Sequence, residues 1–321
     1  LVTQAGIILG RGDGTFRTRR NGPNQRLATG DLDGDGVPDL VAFEAYAGKL
    51  WFGVYENPGD GAFGLAATSG AILDVCGTSC GLKEQWVEVC DVDGDGDLDA
   101  LCSYTVSFPA TNGLLVLFND GSGVLGNPSF QVHGAPLTEF HARDFDGDDD
   151  VDLLAIGGTG TGVRLLSNDG AGNFTLAGTA TTSLSPTTLA VGDIDSDGDI
   201  DALTGGLVND SPLIALTNDG SGQFVVTEIA LGWSDPGNEA TWIALGDLNG
   251  DGAPDAAVAS YLALRPMIVV LNDGAGGFIA PGAEIAGGGG QRIAMTDVDR
   301  DGDLDIVSPS RVVRNEGSGV L

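Results

Sequence analysis

The side chains in this sequence that are best suited to chemistry are carboxylates, which recur in six copies of one nine-residue segment. Each copy follows the pattern D-x-[D/N]-x-D-x-x-x-D, with acidic or amide side chains at positions 1, 3, 5 and 9. Oxygen ligands at alternate positions of a tight loop suit a hard divalent cation, and glycine at position 6 permits a sharp turn. The copies span residues 31–39, 91–99, 144–152, 193–201, 247–255 and 297–305.

Two other interpretations of these segments are weaker. An EF-hand loop also begins D-x-D-x-D-G, but it needs a bidentate glutamate at position 12 and a flanking helix on each side. The flanks here are short apolar or β-branched runs such as Leu40-Val41-Ala42, which favour buried strands. Plain solvated turns would not require six copies in one register. None of the residues at position 12 is a glutamate; they are Ala42, Cys102, Ala155, Thr204, Val258 and Ser308.

A second motif alternates with the acidic segment. The starts of successive acidic segments lie 49 to 60 residues apart, and a glycine-rich turn, in most copies N-D-G-[S/A]-G-x-F, lies between them. One unit therefore reads strand, acidic loop, strand, linker, strand, N-D-G turn, strand, which is typical of a propeller blade. After a related hairpin near residues 6–16, the turn motif occupies residues 57–63, 119–125, 168–174, 218–224, 272–278 and 315–321.

These patterns predict an all-β fold: a seven-bladed β-propeller of four-stranded antiparallel blades in a single domain over residues 1–321. The terminal blades are expected to be incomplete, and upstream sequence is expected to be missing, because residue 1 falls inside a repeat. A six-bladed ring would leave one third strand without a place, and an open array of hairpins would expose its edges. The predicted units are residues 1–20, 21–80, 81–133, 134–182, 183–235, 236–286 and 287–321.

The distribution of charge along the sequence limits the classes of partner that the protein is expected to bind. The formal net charge is −32, and 28 of the 46 acidic residues lie inside the six acidic segments. The charge is therefore concentrated in loops rather than in a disordered tail, and nucleic acid is excluded as an expected partner. No run of 18 apolar residues is present, so no membrane span is predicted.

Together the two motifs resemble the FG-GAP/VCBS repeats of integrin-α-like β-propellers, over essentially the whole chain. The resemblance implies calcium, held by the side chains at positions 1, 3, 5 and 9 and by the carbonyl at position 7. The implied ligands are Asp31, Asp33, Asp35, Val37 and Asp39; Asp91, Asp93, Asp95, Asp97 and Asp99; Asp144, Asp146, Asp148, Asp150 and Asp152; Asp193, Asp195, Asp197, Asp199 and Asp201; Asp247, Asn249, Asp251, Ala253 and Asp255; and Asp297, Asp299, Asp301, Asp303 and Asp305.

Three copies depart from the pattern. In the third, Asp149 replaces the glycine at position 6 and leaves the turn geometry open. In the fifth, Asn249 at position 3 removes one charge and predicts weaker binding. In the sixth, Arg300 at position 4 adds a cation beside the site. About six calcium ions are expected in all, with a structural role.

The expected calcium sites indicate the cellular location of the protein. With affinities of roughly 10⁻⁴–10⁻³ M, each site contributes on the order of 1 kcal/mol in millimolar calcium. Folding that depends on calcium implies a secreted, cell-surface or periplasmic location. The four cysteines agree with an oxidising compartment. The four cysteines allow three disulfide connectivities, and proximity favours Cys76 with Cys80 and Cys90 with Cys102. A zinc site is the weaker alternative, because no histidine is nearby.

A candidate ligand face lies at the opposite end of the first strands. Five residues before each acidic segment the residue type varies, although the next residue stays apolar. Convergence of these side chains around a propeller axis would suit a sugar or an acidic peptide. The alternative is that the tryptophans plug the central channel and the arginines are ordinary surface charges. The predicted ligand-binding residues are Arg26, Trp86, Glu139, Trp242 and Arg292, with Thr188 at the equivalent position.

The sequence leaves three functions open. The leading one is a secreted lectin-like or protein-binding adhesion module that takes a glycan or an extracellular protein. The others are a propeller-based carbohydrate-active enzyme of lyase or dehydratase type, and a structural subunit of a surface assembly. The module leads because no catalytic motif is visible, and the spacing of Glu139 and His141 on one strand face is weak evidence for catalysis.

Overall fold

A computed structural model describes the greater part of the chain. The described residues are 2–3, 6–7, 26–46, 48–59, 64–65, 72–74, 82–107, 110–158, 160–206, 212–232, 240–260, 266–286, 292–308 and 311–317. Within these ranges there are strands and turns but no α-helix, and so no helix that could cross a membrane. The chain is all-β, as its sequence predicts.

The strands form six larger sheets, preceded by a short hairpin of β1 (Val2–Thr3) and β2 (Gly6–Ile7). Sheet I comprises β3 (Arg26–Gly30), β4 (Asp39–Tyr46), β5 (Lys49–Glu56), β6 (Gly64–Leu65) and β7 (Ile72–Asp74). Sheet II comprises β8 (Lys83–Cys90), β9 (Asp99–Ser107), β10 (Ala110–Phe118) and β11 (Gly126–His133). Sheet III comprises β12 (Glu139–Arg143), β13 (Asp152–Ile156), β14 (Gly162–Asn168) and β15 (Phe174–Thr181).

Sheet IV comprises β16 (Pro186–Gly192), β17 (Asp201–Gly206), β18 (Leu213–Asn218) and β19 (Phe224–Ile229). Sheet V comprises β20 (Ala240–Gly246), β21 (Asp255–Ser260), β22 (Met267–Asn272) and β23 (Phe278–Ile285), and sheet VI comprises β24 (Ala294–Thr296), β25 (Asp305–Val307) and β26 (Val312–Val313). Sheets II to VI are antiparallel meanders in chain order, and in sheet I both β6 and β7 pair with β5. The acidic segment connects the first two strands of each sheet, as predicted.

The core consists of apolar layers between consecutive sheets. Side chains alternate between the two faces of a strand, so a strand that is covered on both faces is apolar throughout. In β13, Leu153 and Ala155 pack toward sheet II, whereas Leu154 and Ile156 pack toward sheet IV. Five such clusters fill the five junctions from sheet I to sheet VI. Each sheet therefore packs like a blade against the next one in the chain.

The first strands of the sheets surround a common axis. They contact one another in chain order, from β3 through β8, β12, β16 and β20 to β24. In addition, the rings of Trp86 on β8 and Trp242 on β20 approach to 6.1 Å between centroids, although sheets II and V are separated by two other sheets. A contact between such distant sheets requires first strands that face each other across the centre.

The predicted disulfide between Cys90 and Cys102 is wrong. The β8–β9 register pairs Cys90 with Asp99 and Cys102 with Val87, so the two cysteines lie three positions apart along the ladder. Cys102 also packs toward sheet I, whereas Cys90 packs toward sheet III, and the two thiols are not joined. A disulfide needs Cα atoms within about 7 Å and converging Cβ vectors. Cys76 and Cys80 lie outside the described residues, so their pairing stays a prediction.

Candidate functional site: acidic loops and axial cluster

Each acidic loop folds around its first carboxylate. In the second loop, Asp91 accepts hydrogen bonds from the backbone N–H groups of Gly94 at 2.8 Å and Gly96 at 2.9 Å. In all six loops the N–H at position 6 donates to the carboxylate at position 1 over 2.8–3.2 Å. The loop backbone thus turns its amide hydrogens inward and holds the carboxylates of one loop close together.

This turn requires left-handed backbone at positions 4 and 6. Five of the six loops have glycine at position 6, with φ between 84° and 101°. In the third loop Asp149 adopts φ 70° and makes the same hydrogen bond to Asp144, so the turn is retained. At position 4, Ser196 and Arg300 likewise adopt φ 62° and 67°. Three loops therefore hold a non-glycine residue in a conformation that costs L-amino acids free energy.

The carboxylate at position 9 links its loop to the glycine-rich turn of the same sheet. One oxygen accepts the N–H at position 2, at 2.8–3.3 Å. The other accepts the backbone N–H of the first asparagine in the N-D-G motif, at 2.7–2.9 Å. All six of these aspartates are at most 1% exposed. Burial raises the pKa of Asp99, Asp152 and Asp201 to about 6, although the N–H donors oppose the shift.

The same asparagine joins neighbouring sheets. Asn218 donates through Nδ2 to the carbonyl of Phe145, at position 2 of the preceding acidic loop, at 2.8 Å. It also donates to the carbonyl of Ile200 in its own loop. The bond to the preceding loop recurs at 2.7–2.8 Å from Asn119, Asn168, Asn272 and Asn315. The sequence motif predicts only a turn at these asparagines, and their recurrence from unit to unit is the feature that indicates a further role.

Several carboxylates in the loops are arranged for a cation. In the first, second, third and sixth loops, the side chains at positions 1, 3 and 9 offer oxygens that all lie within 4.8 Å of one another. In the fourth loop, the side chains at positions 1, 3 and 5 do so. Five buried oxygens of these groups have no hydrogen-bond partner among the described residues, on Asp93, Asp146, Asp193, Asp195 and Asp299. A buried carboxylate oxygen without a donor is costly, and a divalent cation would satisfy it. The residues present therefore fit a hard cation.

The loops are not equivalent. In the fifth, Asn249 and Asp251 bond to each other, and the amide replaces one carboxylate. In the sixth, the side chain of Arg314 lies 3.4 Å from Asp299, so that loop has a cation of the protein's own beside it. At position 7, the carboxylates of Asp97, Asp150, Asp199 and Asp303 lie against glycines of the N-D-G turn, where an added Cβ would come within 2.5–3.0 Å of a carboxylate oxygen.

The structure brings three of the five predicted ligand-binding residues into contact. The guanidinium of Arg292 lies over both indoles, 5.5 Å from the Trp86 centroid and 4.8 Å from the Trp242 centroid. The indole N–H of Trp242 donates to the carbonyl of Ile293 at 2.9 Å. The tryptophans are half-buried and Arg292 is exposed. We call Trp86, Trp242 and Arg292 the axial cluster. The side chain of Arg26 lies outside the described residues.

Glu139 is buried in an ionic network centred on His141, whose ring lies 6.0 Å from that of Trp86 in the axial cluster. Nδ1 of His141 lies 2.8 Å from Glu88, and Nε2 lies 3.7 Å from Glu139 and 3.0 Å from the carbonyl of Leu189. Burial, the largest single influence, lowers the pKa of His141, but the hydrogen bond to Glu88 and the negative charges of Glu88 and Glu139 outweigh it and raise the pKa to about 10. Sequence reasoning missed Glu88, which nothing local distinguishes from its neighbours.

Comparisons with known proteins agree with this architecture. A model of the FG-GAP-like repeat matches residues 31–102 and 144–204. No curated protein sequence is significantly similar to the chain. An Agrocybe aegerita lectin with specific recognition of non-reducing terminal N-acetylglucosamine has a similar structure, with a TM-score of 0.64, 18% identity, and coverage of 98% of this chain and 86% of the lectin.

A rhamnogalacturonan lyase of Bacillus licheniformis is also similar, with a TM-score of 0.53 and 15% identity over 92% of this chain and 57% of the lyase. At such identities the likeness concerns the fold alone. Both neighbours are β-propeller proteins, and the stacked antiparallel sheets of this chain are consistent with propeller blades.

Proposed function

Since this chain carries FG-GAP-like repeats, we propose that it is a secreted β-propeller that calcium stabilises and that binds a glycan or an extracellular protein. We propose further that it closes as a ring of seven blades. The short hairpin of β1 and β2, with the six larger sheets, supports that number within the described residues.

The observation that carries the calcium proposal is the set of buried carboxylate oxygens without hydrogen-bond partners inside the acidic loops. The side chains at positions 1 and 3 would hold the ion, and position 9 would contribute while it anchors the loop. Calcium would supply positive charge to groups that otherwise repel one another. Dependence on millimolar calcium favours an extracellular setting.

Removal of calcium tests this scaffold role. The melting temperature of the calcium-loaded protein should fall sharply after exhaustive dialysis against EGTA and should recover when calcium is added, because metal binding favours the folded state. Magnesium at the same concentration is the control, since it fits these flexible oxygen sites poorly. An unchanged melt of protein shown by elemental analysis to be metal-free would contradict the proposal.

We propose the axial cluster as the ligand-binding surface of the module. Two half-buried indoles and an exposed guanidinium can stack on a sugar ring or pair with an acidic group. Arg26, which precedes its acidic loop by the same interval, would extend this proposed surface. Glu139 would not contact a ligand directly, because it is buried and faces His141. The lectin neighbour supports a binding role through its fold only.

Substitutions in the axial cluster test the binding role. A glycan array probed with calcium-loaded protein should show binding that Arg292→Gln and Trp242→Ala weaken by at least tenfold. Trp51→Ala is the matched control, because Trp51 is half-buried on the third strand of its sheet. If Trp242→Ala lowers the melting temperature and Arg292→Gln leaves binding unchanged, the cluster is a packed plug of the channel and the proposal fails.

A further inference from the structure

A cavity separate from the axial cluster lies in sheet III. Its volume is about 380 Å³, and its lining includes Gly157, Gly158, Gly160 and Thr161 between β13 and β14, and Thr179 and Thr181 on β15. It lies at the end of the sheet opposite the acidic loops, because Ile156 at the end of β13 pairs with Glu139 at the start of β12. Ligand cavities of this size take small molecules.

The charged group of the cavity is Arg164. Its guanidinium is half-buried and donates to the carbonyl of Pro136. Among the described residues it forms no ion pair with a carboxylate, although the protein has a net charge of −32. Burial lowers the pKa of Arg164, and no acidic group opposes that shift. A partly desolvated guanidinium with five N–H donors and no carboxylate partner is suited to an anionic ligand.

The lining around Arg164 combines apolar surface with hydroxyl and backbone groups. Thr161, Thr179 and Thr181 bring exposed hydroxyls to the cavity lining, and the connecting glycines leave backbone groups accessible. Nearby, Nε2 of His133 is buried without a hydrogen-bond partner among the described residues. Arg164 contributes to the lowered pKa of His133, so the two side chains lie within electrostatic reach.

We propose that this cavity binds a monosaccharide-sized ligand that bears a carboxylate, such as a uronic acid. Arg164 pairs with the carboxylate, and the threonine hydroxyls and glycine backbone bond to the hydroxyls of the sugar ring. The long-range field of the acidic protein repels anions, so the local guanidinium must provide the attraction. The site uses none of the residues of the axial cluster.

Calorimetric titration of the calcium-loaded protein with D-glucuronate, D-glucose and acetate tests this proposal at 0.15 M salt. Glucuronate should bind at least tenfold more tightly than either of the others, because only glucuronate offers both carboxylate and ring. Equal binding of glucose would overturn the role of the carboxylate. Equal binding of acetate would reduce the site to a simple anion site and overturn the sugar assignment.

Two variants locate the site. Arg164→Gln should remove the preference for glucuronate over glucose, whereas Arg311→Gln should not, since Arg311 is an exposed arginine that also donates to a carbonyl. A Cβ added at Gly160 would meet no atom within 4 Å, so Gly160→Leu can place a side chain in the cavity without a backbone clash; it should block binding and leave the melting temperature unchanged. Retention of glucuronate binding in Gly160→Leu overturns the proposal even if Arg164→Gln fails to fold.

Discussion

At the scale of single residues, both ring nitrogens of His141 have a partner on another strand. Nδ1 faces the carboxylate of Glu88 and Nε2 faces the carbonyl of Leu189, and both partners can only accept hydrogen bonds. Both ring nitrogens must therefore carry a proton, so the geometry requires an imidazolium. The cation links β12 to β8 and β16, the first strands of both neighbouring sheets.

Replacement of His141 by Gln should destabilise the protein by about 1–3 kcal/mol, with a defined pH dependence. The pKa of His141 is raised from its ordinary value to about 10 in the folded state. The stabilisation is therefore fully present below about pH 6.5 and is lost as the pH rises toward 10. Urea denaturation of both proteins from pH 6 to 10 should show a difference that shrinks with pH.

The other histidine is the control for this measurement. The pKa of His133 is lowered by burial and by Arg164, so it is neutral throughout the range above pH 7. The effect of His133→Gln should consequently stay constant between pH 7 and 10. A constant or growing effect of His141→Gln over the same interval would contradict the imidazolium assignment.

At the scale of elements, the asparagine of the N-D-G turn holds adjacent sheets together. The Nδ2 group of Asn218 donates to two carbonyls, one of them in the preceding sheet's loop. Asn218→Asp replaces this buried donor by an acceptor that faces those carbonyls, and should cost about 2–3 kcal/mol. Asn173→Asp, on the exposed side of another turn, should cost less. If urea denaturation in the presence of calcium shows the same loss of stability for both variants, the inter-sheet hydrogen bond does not contribute to stability.

The acidic loops also store backbone strain that glycine should relieve. Arg300 adopts φ 67° and Asp149 φ 70°, whereas other loops place glycine at these positions. Arg300→Gly should stabilise the calcium-loaded protein by about 1 kcal/mol, and Asp149→Gly by less, because aspartate tolerates this conformation better. Ala171→Gly, at an exposed turn position without positive φ, should destabilise it. The prediction fails if thermal melts show all three changes with the same sign.

At the scale of the whole molecule, the buried aspartates make the metal-free fold sensitive to pH. Burial raises the pKa of Asp99, Asp152 and Asp201 to about 6, from an ordinary value of 3.8. Between these values the folded state binds more protons than the unfolded state, so the stability of metal-free protein falls as the pH rises. Calcium requires ionised carboxylates, so its stabilising effect should grow over the same interval.

Scanning calorimetry of metal-stripped and calcium-loaded protein at pH 4.5, 5.5, 6.5 and 7.5 checks this linkage. The metal-stripped melting temperature should decrease with pH, and the gap between the two forms should widen. The same measurement in high salt distinguishes the contribution of the buried aspartates to this pH dependence from that of repulsion between surface charges, because salt screens exposed charges far more than buried ones. A metal-stripped protein that is more stable at pH 7.5 than at 5.5 would contradict the role given to these aspartates.

The sequence by itself determined the features that depend on neighbours in the chain. The acidic loops between two strands, the glycine-rich turns and the all-β class follow from residue types at short spacing, because turns and strand alternation are local. The six copies also predicted the recurrence of one sheet, which the described residues show from sheet II to sheet V. The blade number and the calcium ligands remain proposals.

Only the tertiary structure decided which distant groups meet. The bond from Asn119 to Leu32 joins residues 87 apart in the chain, and the contact of Trp86 with Trp242 crosses the axis between sheets that are not adjacent. Register and side-chain direction, rather than nearness in sequence, separated Cys90 from Cys102 onto opposite faces of one sheet. Likewise, the charge on His141 depends on acceptors from two other strands, and no local pattern specifies those.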